Sequence, residues 1–263
     1  MHVADGLLPA PLCIGGYALG GLTLWWNLRR AKVQSAKRAD VLSDGLAADG
    51  STLSSARARH IDQNNLARNS RHSLQQNIAR AALLTAAFFV ASSVRIAIPP
   101  TSVHLVLVGL MGAILGPLAF PSVVVGLTLQ AVLVGHGGLT VLGINSLILG
   151  WPAIAAGFLF RLCQRWGGGW LGRSRATMAG GFLAGAMGTS LAVLLFFSAV
   201  LLGITPDLNP EVEQAATIGI AIAHAPLVLV EGFFTAGVIG FCQRVYPDLL
   251  PDFLMARSVR SPY

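Results

Sequence analysis

The stretch from Phe182 to Leu202, FLAGAMGTSLAVLLFFSAVLL, decides the fold class of this chain. It contains no Asp, Glu, Lys or Arg, and it is long enough to supply the roughly 20 apolar residues with which an α-helix crosses a bilayer. The whole chain has the same character, because 54% of its 263 residues are hydrophobic and only 11% are charged. Since a soluble domain carries charge on about a quarter of its residues, the sequence predicts a membrane protein.

Six other runs are nearly free of charge, so that seven spans are predicted. These runs are Leu12 to Trp26, Ala81 to Val94, Val103 to Leu118, Val123 to Val134, Leu147 to Leu162 and Ala215 to Phe241. The shorter ones leave a re-entrant or buried segment open as an alternative, because about 10 to 14 apolar residues are few for a crossing. The predicted fold is an all-α polytopic membrane protein of about seven transmembrane helices, which forms a single transmembrane domain over residues 1–263.

The basic residues orient these spans, because Lys and Arg concentrate in the cytoplasmic loops of membrane proteins. With Met1 on the outside, 17 of the 18 Lys and Arg fall in the inner segments 29–80, 161–177 and 241–263. Only Arg95 lies elsewhere. We therefore predict an outside amino terminus and a cytoplasmic carboxyl terminus, in a bacterial or archaeal plasma membrane. The net charge of +7 is assigned to this topology and not to nucleic-acid binding.

Residues 33–77 are the least membrane-like part of the chain. They are rich in polar and small residues and include SDGLAADGSTLSS at positions 43–55. This composition is typical of a flexible connection, so we predict a disordered cytoplasmic loop, with a regulatory or docking segment as the alternative. The three cysteines lie far apart and form neither a C-x-x-C motif nor a disulfide framework.

Two segments rich in Pro and Gly fall on the same side of the predicted membrane as MHVADG at positions 1–6. They are IPPTSVH at 98–104 and GHGGLTVLGIN at 135–145. Backbone that is not helical near membrane depth must line a cavity or be buried in protein, because lipid offers no hydrogen bonds. We therefore expect these three segments to form a bowl on the outer face, and we look for chemistry there.

The amino terminus is itself a candidate chelator. The chain has no Lys or Arg before Arg29 and carries the acidic Asp5 near its start. It therefore lacks the basic region with which a signal peptide begins, and no signal peptide is predicted. The free amine of Met1, the amide nitrogen of His2 and the imidazole Nδ1 of His2 would close two adjacent chelate rings. Such a planar nitrogen set suits Ni(II) and Cu(II). Because amide deprotonation needs strong ligand-field stabilisation, nickel and cobalt are favoured over magnesium, calcium and zinc, while copper also suits the geometry.

His104 is the predicted fourth ligand, because it begins a helix on the same face after Pro99 and Pro100. Taken alone, it is more typical of a helix-start residue whose ring bonds the backbone.

Further polar residues are expected to support this site. His136 lies between glycines and is assigned to a gate over the site or to support of the ligands, with direct ligation as the alternative. Asn145 is expected to hydrogen-bond the loop that carries His136. Asp5 is expected to orient the amine or His2, and a helix-cap role is the alternative.

Glu231 is the only carboxylate deep in an apolar span, and His224 precedes it by seven residues, about two helical turns. Charged groups at that depth usually have a partner. We predict that His224 and Glu231 form a buried structural pair or a subunit contact. The alternative function is a proton-coupled carrier or membrane enzyme that works through these two residues.

Four segments resemble the CbiM/NikM family of substrate-specific membrane components of energy-coupling-factor transporters for cobalt and nickel. They are MHVADG at 1–6, IPPTSVHLVLVGLMGAILGP at 98–117, HGGLTVLGIN at 136–145 and HAPLVLVEG at 224–232. The resemblance implies that the ion is held by the amine of Met1, the amide and imidazole nitrogens of His2, and His104 in an S-x-H segment. Ser102 of that segment joins the residues expected to gate or support the site. Asp5 departs from the Glu that is usual in the family, and the segment 33–77 is unusually long.

The resemblance also implies partners: a transmembrane coupling subunit, cytoplasmic ABC-type ATPase subunits and a small accessory membrane subunit. The sequence contains no G-x-x-x-x-G-K-[ST] phosphate loop, so ATP hydrolysis is assigned to those partners. The predicted function is a nonenzymatic metal-capture subunit of an ATP-driven importer. Its transported substrate is Co(II) or Ni(II), with no prosthetic group, and it supplies cobalt for cobalamin biosynthesis.

Overall fold

The computed structural model describes residues 3, 5–49, 56–94, 96–98, 101–167, 172–203, 210–246 and 250. Its helices are α1 (Ala10–Asp49), α2 (Ala56–Ser93), α3 (Val108–Leu115), α4 (Ala119–Leu129), α5 (Leu142–Gly167), α6 (Arg173–Gly203) and α7 (Pro210–Val245). Between α2 and α3, strand β1 (Ile96–Ile98) pairs antiparallel with strand β2 (Thr101–Val103). Apart from this short hairpin, the regular structure of the described residues is helical, as the composition predicts.

Four helical stretches among the described residues are long and apolar enough to cross a membrane. They are Val108–Val134, Leu142–Gly167, Ser174–Gly203 and His224–Val245. This agrees with the predicted multi-pass membrane protein. The count of about seven crossings and the orientation of the two termini stay predictions.

The first of these stretches folds back on itself. His104 lies before α3 and His136 follows α4, and the centroids of their rings are only 6.3 Å apart. A straight helix over the 27 residues of this stretch would be about 40 Å long. The chain reverses at the 3₁₀ turn Gly116–Leu118, where Gly116 has a φ of 55°. Helices α3 and α4 are therefore two arms of a hairpin that begins and ends on one side of the molecule.

Helix α3 is buried along its whole length and lies against the backbones of its neighbours. A Cβ atom at Gly112 would stand 2.0 Å from the carbonyl oxygen of Ala153 in α5. A Cβ atom at Gly109 would stand 2.5 Å from the carbonyl oxygen of Ala184 in α6. Small residues allow helices to approach this closely where polar contacts are scarce, so these glycines set the central position of α3.

One end of the predicted span Leu12 to Trp26, within α1, carries features of a membrane interface. The guanidinium of Arg29 lies 4.1 Å from the ring centroid of Trp25, and that of Arg30 lies 5.1 Å from the ring centroid of Trp26. Tryptophan is enriched where membrane meets water, and cations are attracted to the faces of its ring. This pairing supports an interface near residue 25.

The structure differs from expectation in segment 33–77, where a disordered loop was predicted. Helix α1 continues to Asp49 and α2 begins at Ala56, so both described parts of the segment are helical, and residues 50–55 lie outside the described residues. The segment has no proline and is rich in Ala, Arg, Gln and Leu, which are strong helix formers. Because the segment is polar, it lacks the apolar pattern by which helices are recognised in a sequence, but its residues still favour a helix. Its cytoplasmic position and the single-domain organisation stay predictions.

Candidate metal site

His104 is buried between β2 and α3, and a backbone contact sets the tautomer of its ring. The ring Nδ1 lies 3.1 Å from the carbonyl oxygen of Leu105. A carbonyl oxygen can only accept a hydrogen bond, so Nδ1 must carry the proton and donate it. In the neutral ring, Nε2 then presents its lone pair. This is the arrangement of metal-binding histidines, whose other ring nitrogen donates to a carbonyl or a carboxylate.

The surroundings of His104 favour its neutral form. Burial is the main cause that lowers the pKa of the ring to about 3, and nearby His136 and His224 lower it further. Neutral imidazole is the form that binds metal ions. His104 is therefore held in the protonation state that a ligand requires.

His136 lies beside His104 and belongs to the glycine loop, which we define as residues 135–141. The two rings meet edge to face, with an interplanar angle of 80°. The backbone N–H of His136 donates to the carbonyl oxygen of Gln130 at 3.1 Å. This bond holds His136 just beyond the carboxyl end of α4. This position suits a residue that covers the His104 ring or joins it in binding.

The amino-terminal segment is fastened to the same end of the molecule through Asn145. The backbone N–H of Val3 donates to Oδ1 of Asn145 at 2.9 Å, and Nδ2 of Asn145 donates to the carbonyl oxygen of Val3 at 3.0 Å. Both residues are buried. The sequence predicts that Asn145 bonds the glycine loop, and its backbone N–H does donate to the carbonyl oxygen of Val141 in that loop at 2.9 Å. Its side chain bonds Val3. The predicted ligands Met1 and His2, which precede Val3, lie outside the described residues.

Asp5 connects the amino-terminal segment to the glycine loop. Its Oδ1 accepts hydrogen bonds from the backbone N–H of Thr140, at 3.1 Å, and from the Thr140 hydroxyl. A Cβ atom at Gly138 would lie 1.9 Å from Cγ of Asp5, and Gly138 has a φ of +81°. The hydroxyl of Tyr17 in α1 also donates to the carbonyl oxygen of Leu139. These contacts show that Asp5 fastens the loop. Its predicted role in orienting the amine or His2 stays a prediction, because Met1 and His2 lie outside the described residues.

Ser102 lies in β2, opposite Ala97 in β1. It is two residues before His104, so the hairpin leads directly into the site. The structure describes the backbone of Ser102, and a contribution of its side chain stays a prediction.

Glu231 is fully buried in α7 and bonds the backbone at the start of α3. Its two carboxylate oxygens lie 3.0 and 3.1 Å from the backbone N–H of Leu107, and Oε1 also accepts from the backbone N–H of Val106. The predicted pair with His224, which is buried near His104, stays a prediction. The partners found here were missed because they are backbone groups more than 120 residues away in sequence.

Within the described ranges, no group of three or more His, Cys, Asp or Glu residues is arranged to hold a metal ion. The described donor at the site is the imidazole of His104, with His136 beside it. Thr140 and Leu107 also support the site, through their hydrogen bonds to Asp5 and Glu231. Neither residue carries a sequence signal that could have identified it.

Comparison with known proteins gives a consistent result. The family model for the cobalt uptake substrate-specific transmembrane region, CbiM, matches residues 64–249. A putative metal transport protein of Haemophilus influenzae is 30% identical over 66% of this chain and 81% of its own length. A putative fused nickel transport protein, NikMN, of Archaeoglobus fulgidus is 32% identical over 64% of this chain. The match covers 54% of that fused protein, so the chain spans about half its length.

The fold is also found in a crystal structure described as a transition metal transporter. It superposes with a TM-score of 0.61 over 99% of this chain and 100% of the other, at 18% sequence identity. At that identity, the likeness shows a shared fold.

Proposed function

The chain belongs to the CbiM family of cobalt-uptake substrate-specific transmembrane proteins, and from this premise we propose that it is the substrate-binding subunit of an ATP-driven energy-coupling-factor importer. It is a multi-pass protein of the plasma membrane. Its substrate is Co(II) or Ni(II), which passes through the protein as cargo. A transmembrane coupling subunit, ABC-type ATPases and a small accessory membrane subunit complete the importer, which supplies cobalt for cobalamin biosynthesis.

The ion is held by four nitrogens: the Met1 amine, the amide nitrogen and ring Nδ1 of His2, and Nε2 of His104. The observation that carries this proposal is that one stretch of chain, 136–145, contacts both parts of the site. It bonds Val3 through Asn145 and Asp5 through Thr140, and it brings His136 against the ring of His104. The residue after His2 is thereby held at the same end of the molecule as His104.

This donor set selects the class of ion by chemistry. Magnesium and calcium prefer oxygen ligands, whereas a planar set of nitrogens that includes a deprotonated amide suits ions with strong ligand-field stabilisation. The low pKa of His104 removes competition between protons and metal at the fourth position. The glycine loop covers the ion, and a rearrangement driven by the ATPases opens the path inward.

Metal binding by variants of the purified protein, with its native amino terminus, tests this function. His2→Ala and His104→Ala should each abolish binding of Ni(II) and Co(II) in calorimetric titration, because each removes an imidazole ligand. One extra residue before Met1 should be nearly as harmful, because it converts the amine into an amide. His72→Ala is the matched control and should bind normally, since His72 lies in the polar segment 33–77. Normal binding by both ligand variants would rule out the site.

The hydrogen bonds of Glu231 to Val106 and Leu107 favour this function over the proton-coupled carrier, because they give the carboxylate a structural task. A carrier of that kind would transport without ATPase partners and would tolerate His2→Ala.

A further inference from the structure

Glu231 binds a part of the metal site that regular secondary structure leaves without partners for its N–H groups. The first N–H groups of a helix have no acceptor inside the helix, and Val106 and Leu107 lead directly into α3. In a membrane such groups must be satisfied by protein. The carboxylate reaches them from α7 and meets the positive end of the helix dipole.

The backbone at this point adopts a conformation that must be imposed. Leu107 has a φ of 53° and is the only non-glycine residue with positive φ among those that the structure describes. Side chains of L-residues disfavour this region, and such conformations persist where the surroundings over-determine them. Both oxygens of Glu231 lie within hydrogen-bond distance of the Leu107 N–H, so this carboxylate is part of what imposes it.

The peptide unit between Leu105 and Val106 connects Glu231 to His104. Its carbonyl oxygen accepts from Nδ1 of the His104 ring, and its N–H donates to Oε1 of Glu231. A peptide unit is planar and rigid, so fixing the N–H also fixes the direction of the carbonyl. Hydrogen bonds in such a chain polarise one another, and a stronger bond at Nδ1 makes the opposite ring nitrogen a better metal donor.

We propose that Glu231 is a positioning residue of the metal site, which orients the imidazole of His104 through the Leu105–Val106 peptide. This inference rests on the proposed function, because His104 must be a ligand. It connects α7 with that ligand through a single peptide unit. It gives Glu231 a role in positioning the ligand and not in proton transfer with His224.

The test compares Ni(II) affinity and the visible absorption of bound Ni(II) in purified variants. Glu231→Gln keeps the size of the side chain but loses its charge and one acceptor, and Glu231→Ala loses both acceptors. We expect affinity to fall about 10-fold in the first and up to about 100-fold in the second, as is usual when a group that orients a metal ligand is removed. Because the His104 ring would turn, the absorption band of the bound ion should shift in both variants.

Thr235→Val is the matched control. Thr235 lies one turn further along α7, is buried, and its hydroxyl has no hydrogen-bond partner among the residues that the structure describes. The substitution keeps the shape of the side chain and leaves the 104–107 segment untouched, so affinity and absorption should stay as in the wild type. Thermal unfolding of the metal-free proteins identifies a variant that fails to fold, and if Glu231→Ala does so, the isosteric Gln variant decides.

The inference is overturned if the Gln variant binds Ni(II) with unchanged affinity and absorption. It is overturned equally if the affinity falls without a spectral shift, or if Thr235→Val produces the same change. A wild-type chain that binds neither Ni(II) nor Co(II) would instead overturn the proposed function. The two failures are therefore distinguishable.

Discussion

At the scale of single residues, the site is organised by polar side chains that bond the backbone of distant segments. Asn145 bonds both backbone groups of Val3, and Glu231 bonds two successive N–H groups before α3. Val3 and the N–H groups of Val106 and Leu107 lie outside the helices and strands of the described residues, and an unpaired buried backbone group costs free energy comparable to a lost hydrogen bond. Side-chain amides and carboxylates therefore take the place of secondary structure.

Asn145→Ala should weaken metal binding without contacting the ion. It leaves the N–H and carbonyl of buried Val3 unsatisfied, at a cost of about 1–3 kcal/mol. If this cost falls on the metal-bound state, Ni(II) affinity drops about 5- to 150-fold. Calorimetric titration measures it. Asn27→Ala is the control, because Asn27 is also buried but bonds Thr23 within its own helix. Equal affinities of the two variants would show that the Val3 clamp does not support the site.

At the scale of elements, the glycine loop is shaped to receive Asp5. Gly135 and Gly138 both have positive φ, but their surroundings differ. A Cβ atom at Gly138 would overlap the carboxylate of Asp5, whereas a Cβ atom at Gly135 would meet nothing within 4 Å. Substitutions at these two glycines therefore distinguish the effect of a side chain at positive φ from the effect of a side chain that collides with Asp5.

Gly138→Ala should release bound Ni(II) faster than Gly135→Ala does. Both substitutions place an L side chain at positive φ, which costs about 1–2 kcal/mol. Only the first displaces Asp5 from Thr140, and the lost hydrogen bonds are worth about 1 kcal/mol each. Stopped-flow transfer of the ion to a chelator measures the release. Identical rates in the two variants would mean that the contact between Asp5 and the loop does not retain the metal.

At the scale of the whole molecule, the α3–α4 hairpin brings the parts of the site together. Because the chain reverses at Gly116–Leu118, His104 and His136 return to one end. The same end receives Val3 and Asp5 through their bonds to Asn145 and Thr140. The distribution of Lys and Arg predicts that this end faces outward.

Cysteine labelling tests this orientation in spheroplasts, with Cys13, Cys163 and Cys242 replaced. Leu139→Cys places a thiol on the exposed glycine loop, and Arg175→Cys places one at the exposed start of α6. A membrane-impermeant maleimide should label the first in intact spheroplasts and the second only after lysis, because the reagent does not cross the bilayer. The opposite pattern would reverse the assigned topology.

Local properties of the sequence determined the fold class and the segments of interest. Long hydrophobic runs and the scarcity of charge are typical of a membrane environment, and clusters of Gly and Pro favour backbone that is not helical. The segments 1–6, 98–104 and 135–145 could be selected on these grounds, and the structure brings their described parts together. Segment 33–77 was misjudged because polar helices lack the apolar signal on which the prediction relied.

Only the tertiary structure decided which groups meet. Val3 and Asn145 are 142 residues apart, and Glu231 and Val106 are 125 residues apart, so no spacing in the sequence connects them. Backbone N–H and carbonyl groups are present at every residue and carry no sequence signal of their own. The partner of a buried Asn or Glu is therefore set by how the helices pack, and here the close approach of α3 to α5 and α6 at its glycines fixes that packing.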